Sequence, residues 1–400
     1  MKEKILERFL KYVSFDTQSN DKTNTHPSTE KQKELGKYLV NELKSLGISN
    51  AFMDENSYVY AKIEGSIKTN KTIGLIAHLD TALECSGIVN PKVIEKYDGK
   101  DIELNGISIT NKMFPFLKDK KDETLVTTDG KSLLGGDDKA GIAIIVSLIE
   151  KLLKGNYEYP NLFISFTPDE EIGEGTACFN YDLFKVDFAY TLDGGPINII
   201  NYENFNAATA FLEFNGISIH PGSAKDKMVN SSLLAMEFNS LLPPIRPDNT
   251  ENYEGFNHIT SIFGGVEKTQ VEYIIRNHDM KLFNKQKDDF INISKKMNEK
   301  YGYDAVNCKV VDSYFNMKEI VDKAPYVLEY PVEAIKEANL NPTFVPIRGG
   351  TDGARLSYNG IITPNLGTGG YNCHGPYEFV SIDEMNKMVD ILINMLSKIK

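Results

Sequence analysis

Residues 71–80 read KTIGLIAHLD, an apolar run that ends on His78 and Asp80. A run this short, without polar alternation, reads as a strand buried on both faces, the kind a parallel sheet uses. The pattern returns downstream. NLFISFT (161–167) is a second such run, followed at once by Asp169, Glu170 and Glu171, and VDFAYTLD (186–193) is a third, ending on Asp193. Helical patterns alternate with these strands. STEKQKELGKYLVNELKSLG (28–47) has helical periodicity and closes on a glycine, and GDDKAGIAIIVSLIEKLLKG (136–155) opens on acids before becoming strongly apolar. Strands alternating with helices predict an α/β domain with a mostly parallel sheet.

The texture changes beyond residue 204. AATAFLEFNGISIH (207–220) alternates like a half-buried strand, NSSLLAMEFNSLLP (230–243) is helical, and two strands follow within 258–279. A long polar-faced helix (280–302) and a last strand (305–317) complete the order βαββαβ, the ferredoxin-like pattern. The α/β texture resumes with NPTFVPIRGGTDGARLS (341–357) and ends in an amphipathic helix. The sequence therefore predicts a discontinuous α/β domain, 1–204 and 316–400, with an α+β domain of residues 205–315 inserted in it.

Composition narrows the function. The 400 residues exceed what one core usually supports, and the net charge of −12 argues against nucleic acid or an anionic membrane as partner. The amphipathic start MKEKILERFLKYVSFDTQ lacks the features of a signal peptide, and no segment approaches the roughly 20 apolar residues of a membrane span. A cytoplasmic protein is expected. The four cysteines have no CxxC spacing, which suits neither a disulfide framework nor a thiolate zinc site.

In an open parallel sheet ligands bind beyond the carboxyl ends of the strands. Here those ends carry His78 and Asp80, Asp137 and Asp138, Glu170 and Glu171, and Asp193, while a glycine-rich loop offers His374. A lone histidine or strand-end acid is more often a turn or core residue, but so many converging on one edge call for a compensating cation. Two histidines with several carboxylates and no thiolate suit zinc, manganese or cobalt. His78 and Asp80, two apart on a strand, share a face, so Asp80 can accept the second imidazole N–H of a ligand histidine. Glu170 and Glu171 are adjacent and point different ways, so one can bind metal while the other serves a water as general base.

The blocks AHLDTA, LLGGDDKAGIA, TPDEEIG, TLDGG, SIHPGSAKDKMVNS, PIRGGTDGARLS and GTGGYNCHG, in this order along nearly the whole chain, resemble the cocatalytic zinc peptidase family M20, closest in its tripeptide aminopeptidase branch. The resemblance implies two Zn2+ per subunit, replaceable by Co2+ or Mn2+. His78 and Asp193 would hold one ion, Glu171 and His374 the other, and Asp137, before a cis Asp137–Asp138 peptide, would bridge them. It implies Glu170 as general base, Asp80 as the acid behind His78, and His220 as a substrate contact, the inserted domain acting as a lid. Arg276 and Arg348, which as arginines could equally form surface ion pairs, are the candidates to bind a peptide's terminal carboxylate through a bidentate fork. The implied substrate is a tripeptide with a free N-terminus. The related amidohydrolases of N-acyl amino acids or C-terminal glutamate share the metal set and are the alternative. The resemblance also allows a homodimer through the lid.

Overall fold

The apolar run 71–80 contributes the strand Thr72–His78, in the middle of an eight-stranded sheet. The computed structural model describes residues 1–85 and 87–400. Across the sheet the strands run Phe52–Met53, Val59–Ile63, Asn161–Thr167, Thr72–His78, Phe188–Leu192, Asn365–Leu366, Ile199–Asn201 and Thr343–Phe344. The four from Asn161–Thr167 to Asn365–Leu366 are mutually parallel, and antiparallel pairing begins on either side of them. The register pairs His78 with Thr167 and Ile76 with Thr191, so three strands end level at one sheet edge. That alignment delivers His78, the 169–171 turn and Asp193 to the same place.

This sheet belongs to one compact unit made of Met1–Tyr202, Glu319–Val345 and Thr351–Lys400. Its central helix, Gly136–Lys154, is buried from Asp138 through Glu150, as expected for an element packed on both the sheet and other helices. Gly135, at φ 77°, makes the left-handed turn into it, and Asp137–Asp138 is a cis peptide. The first helix, Lys2–Val13, buries Ile5, Phe9, Tyr12 and Val13, the apolar stripe visible in its sequence.

The second unit comprises Glu203–Lys318 and Pro346–Gly350. Its four strands are ordered Phe256–Gly264, Lys268–Asn277, Asn206–Asn215, Val306–Tyr314, all antiparallel, with the helices Ser231–Leu241 and Met280–Tyr301. This is the ferredoxin-like order. Phe214, Phe238, Phe283, Phe290 and Ile275 form its core. Asn230 accepts the Ser232 N–H and Asp279 the Leu282 N–H, each capping a helix.

The segment Pro346–Gly350 departs from the expected domain division, which keeps it with residues 316–400. The reason is a set of long-range bonds. Ile347 N–H donates to Glu203 O, and the Arg348 guanidinium donates to the carbonyls of Thr250, Asn252 and Glu254. Among the described residues no helix is long and apolar enough to cross a membrane.

Candidate metal centre

Two groups of side chains that could hold a cation lie at the level strand ends, His78–Asp137–Asp193 and Asp137–Glu171–His374. Asp137 belongs to both. Its Oδ1 lies 2.9 Å from His78 Nε2, and its Oδ2 lies 3.3 Å from His374 Nε2. His78 Nε2 is also 3.9 Å from Asp193 Oδ1, and His374 Nε2 is 3.0 Å from Glu171 Oε2. Glu171 Oε1 is buried without a hydrogen-bond partner.

Buried carboxylates that take backbone N–H groups brace several of the contributing loops. Asp80 accepts from Glu170 N–H (3.0 Å) and Glu171 N–H (3.1 Å) through its two oxygens. It therefore organises the 170–171 turn as well as facing His78, whose Nδ1 lies 3.1 Å from Asp80 O and 3.3 Å from Asp80 Oδ1. Asp138 accepts from the backbone of His78 and Gly141, both at 3.2 Å. Asp169, the first acid of the triplet, has no place among the ligands. At φ 59° it turns inward, where its carboxylate accepts from Ser28 N–H, Ser28 Oγ and Gln32 Nε2 while its own N–H donates to Gln32 Oε1.

The electrostatics ask for positive charge. Burial, and then Asp137, push Asp193 well above the usual carboxylate range, and the same causes push Glu171 up to about 7. Asp137 goes the other way: despite burial, hydrogen bonds from His374 and His78 hold it well below. Those bonds, with Glu171, drive the His374 imidazole up to about 11. Two imidazoles thus face three carboxylates in a half-buried cluster open to solvent at His374, with one Glu171 oxygen left without a partner. A divalent cation fits this donor set, since nitrogen and carboxylate oxygen without thiolate are the ligands of zinc and its neighbours.

Glu170 stands outside both groups. Burial pushes its carboxyl well up, with His78 opposing and Asp352 reinforcing the shift. A cavity of about 10 Å³, room for one water, is lined by Glu170 together with Thr167, Thr191, Asp193, Thr351 and Asp352. Asp352 accepts from Thr167 Oγ1 at 2.9 Å, and burial raises it to about 6. Cys373, beside His374, is a free thiol that burial pushes well up.

The residues expected to contact substrate lie in the second unit. His220 is exposed, and its Nδ1 accepts the Gly222 N–H (3.2 Å), which leaves the proton of the neutral ring on Nε2 as a donor. Arg276 donates through one nitrogen to Ala208 O and Ile275 O and lies over the Tyr314 ring. Arg348 differs from expectation. Its two terminal nitrogens already serve four acceptors, and its guanidinium lies 5.1 Å from the Phe205 ring centre and 5.7 Å from that of Phe256. Both prongs of a carboxylate-binding fork are therefore engaged. His278 is buried against Phe205, with Nε2 3.1 Å from Ile347 O and Nδ1 3.4 Å from Tyr253 O, a packing histidine.

The bracing roles of Asp169 and Glu378 are not legible in the sequence. Their partners are backbone groups and side chains far along the chain, which leave no local pattern to read.

Residues 127–398 match peptidase family M20/M25/M40. The chain is 49% identical over 399 residues to a protein from Clostridium perfringens named Peptidase T, covering 98% of each. Among solved structures it resembles aminopeptidase PepT from Bacillus cereus (TM-score 0.79, 19% identity, 99% of this chain and 98% of that one). It equally resembles a tripeptidase from Staphylococcus aureus (TM-score 0.79, 20% identity, the same coverages).

Proposed function

The chain belongs to peptidase family M20/M25/M40, and from that premise we propose that it is a cytoplasmic tripeptide aminopeptidase working with two divalent cations, zinc first among them, and with Glu170 as general base. The observation that carries the reading is Asp137, one carboxylate whose two oxygens complete two separate ligand groups. His78 and Asp193 would hold one ion, Glu171 and His374 the other, and Asp137 both. Bound there, the ions supply a water of lowered pKa and polarise the scissile carbonyl. The chain's own residues do the rest. Glu170, held by its backbone N–H on Asp80 but free of both ligand groups, takes the proton from the attacking water and returns it to the leaving amine. Asp80 fixes the ring orientation of His78 and the direction of both glutamates. His220 donates from Nε2 to the carbonyl oxygen as charge builds on it, and Arg276, with N–H groups still uncommitted, takes the peptide's carboxylate. The tripeptide preference rests on likeness over nearly the whole chain to proteins named Peptidase T, and on the fold shared with a tripeptidase.

The test pairs a free tripeptide with its N-acetylated form and the matching dipeptide, before and after chelation, with Glu170→Ala as control. Chelator-sensitive release of the first residue from the free tripeptide alone, lost in the variant, is expected. Cleavage of only the acetylated substrate would move the chain to the acyl-amino-acid branch and sink the substrate assignment.

A further inference from the structure

Glu378 is a buried carboxylate, 1% exposed, that no Lys or Arg among the described residues pairs with. Three main-chain N–H groups converge on its two oxygens. Leu134 (2.6 Å) and Gly135 (2.9 Å) donate to Oε2, and Asp137 (3.0 Å) donates to Oε1. Successive N–H groups converging on one anion form a concave nest, and bonds to an ionised acceptor are the strong kind. The nest is the loop that presents Asp137. Its fit to Glu378 is close: a Cβ added at Gly136 would sit 3.0 Å from Oε1 and 2.6 Å from Val380 Cγ1.

Glu378 is also four residues beyond His374, on a loop closed upon itself. Its own N–H donates to Gly375 O (3.2 Å), and Asn372 Nδ2 donates to Tyr377 O (3.2 Å). One side chain thus ties the loop that carries His374 to the loop that carries Asp137, two of the three members of one ligand group. We infer that Glu378 is a positioning residue of the metal centre, setting the separation of Asp137 and His374 by holding their two loops together. The inference rests on the two-cation reading above. It adds a residue that touches neither metal nor substrate and that acts through the backbone of the shared ligand.

Glu378→Gln is the informative variant. The amide keeps one acceptor oxygen but turns an NH2 toward a backbone N–H on the other side, so part of the nest loses its partner while the volume is unchanged. Metal-free protein is titrated with Zn2+ by calorimetry and with Co2+ by visible absorption, and its melting temperature without metal is recorded. The wild type is expected to take two ions. In Glu378→Gln one of the two steps should weaken about 10–100-fold, as for other residues that orient metal ligands. The Co2+ spectrum of that site should change, and kcat should fall with KM unchanged. Glu378→Asp, which keeps the charge, should recover part of the lost affinity, and it is read in the same way if the Gln variant does not fold. Two wild-type binding steps and an unchanged spectrum in a variant whose only defect is a lower metal-free melting temperature would overturn the inference alone. A wild type that binds no divalent cation would overturn it together with the two-cation reading.

Discussion

Arg348 separates two accounts of one side chain. As a substrate contact it would raise KM when removed. As a clamp it would cost stability, and the structure allows that cost to be sized. Its terminal nitrogens bond the carbonyls of Thr250, Asn252 and Glu254 and the Thr250 hydroxyl at 2.8–3.3 Å, and its guanidinium rests near the Phe205 and Phe256 rings. The group is half-buried, so the low end of the usual range applies, about 0.5 kcal/mol per bond and per ring contact. Arg348→Ala should then destabilise the second unit by about 3 kcal/mol. Arg348→Lys should recover less than half of that, because an ammonium cannot reach four acceptors from one plane. Urea unfolding followed by a probe in the second unit reads this directly. The companion assay compares KM for a tripeptide and for its C-terminal amide. Stability within about 0.5 kcal/mol of wild type, with KM raised for the free carboxylate and not for the amide, would refute the clamp and restore the fork.

Three further outcomes follow from the geometry. Glu150, with a side chain 3% exposed, pairs with Arg8 at 2.7 Å and with Lys4 and Lys154, and these bonds overcome burial to depress it from 4.5 to about 2. Because the folded value lies below the unfolded one, its contribution of about 3 kcal/mol is complete above roughly pH 4.5 and is lost as the pH falls toward 2. The stability difference between wild type and Glu150→Gln should therefore shrink across that window, and a constant difference would contradict the assignment. Asp80→Asn should weaken Zn2+ binding about 10–100-fold by calorimetry, since it releases both His78 and the 170–171 turn, and unchanged affinity would show Asp80 to be dispensable. Gly141→Ala places a Cβ 2.1 Å from Leu192 O and 2.6 Å from Asp138 Oδ1, so the central helix must shift away from the sheet. A loss of about 1–3 kcal/mol in thermal unfolding is expected, and an unchanged melting temperature would refute the contact.

What the sequence disclosed, it disclosed through regularities that depend on neighbours. Apolar runs ending in acids read as parallel strands because strand burial and the carboxyl-end rule are local in their signature. His78 and Asp193 could be named for that reason. The βαββαβ order was readable because each element carries its own period. The parts that stayed hidden depend on partners far away in the chain. Arg348 bonds carbonyls nearly a hundred residues upstream, and a backbone carbonyl leaves no mark in a sequence. Glu378 reaches loop N–H groups more than 240 residues away for the same reason. Asp169 stands in an acidic triplet whose members read alike until the backbone turns one of them inward.

That inward turn bears on how the protein is made. Ser28 and Gln32 find their partner only when Asp169, 141 and 137 residues later, has left the ribosome. At about 5–20 residues per second that interval lasts roughly 7–30 s. The segment around Ser28 and Gln32 therefore cannot lock until the strand before Glu170 exists. The same bonds make a brace behind the proposed general base wait on two segments translated well over a hundred residues apart.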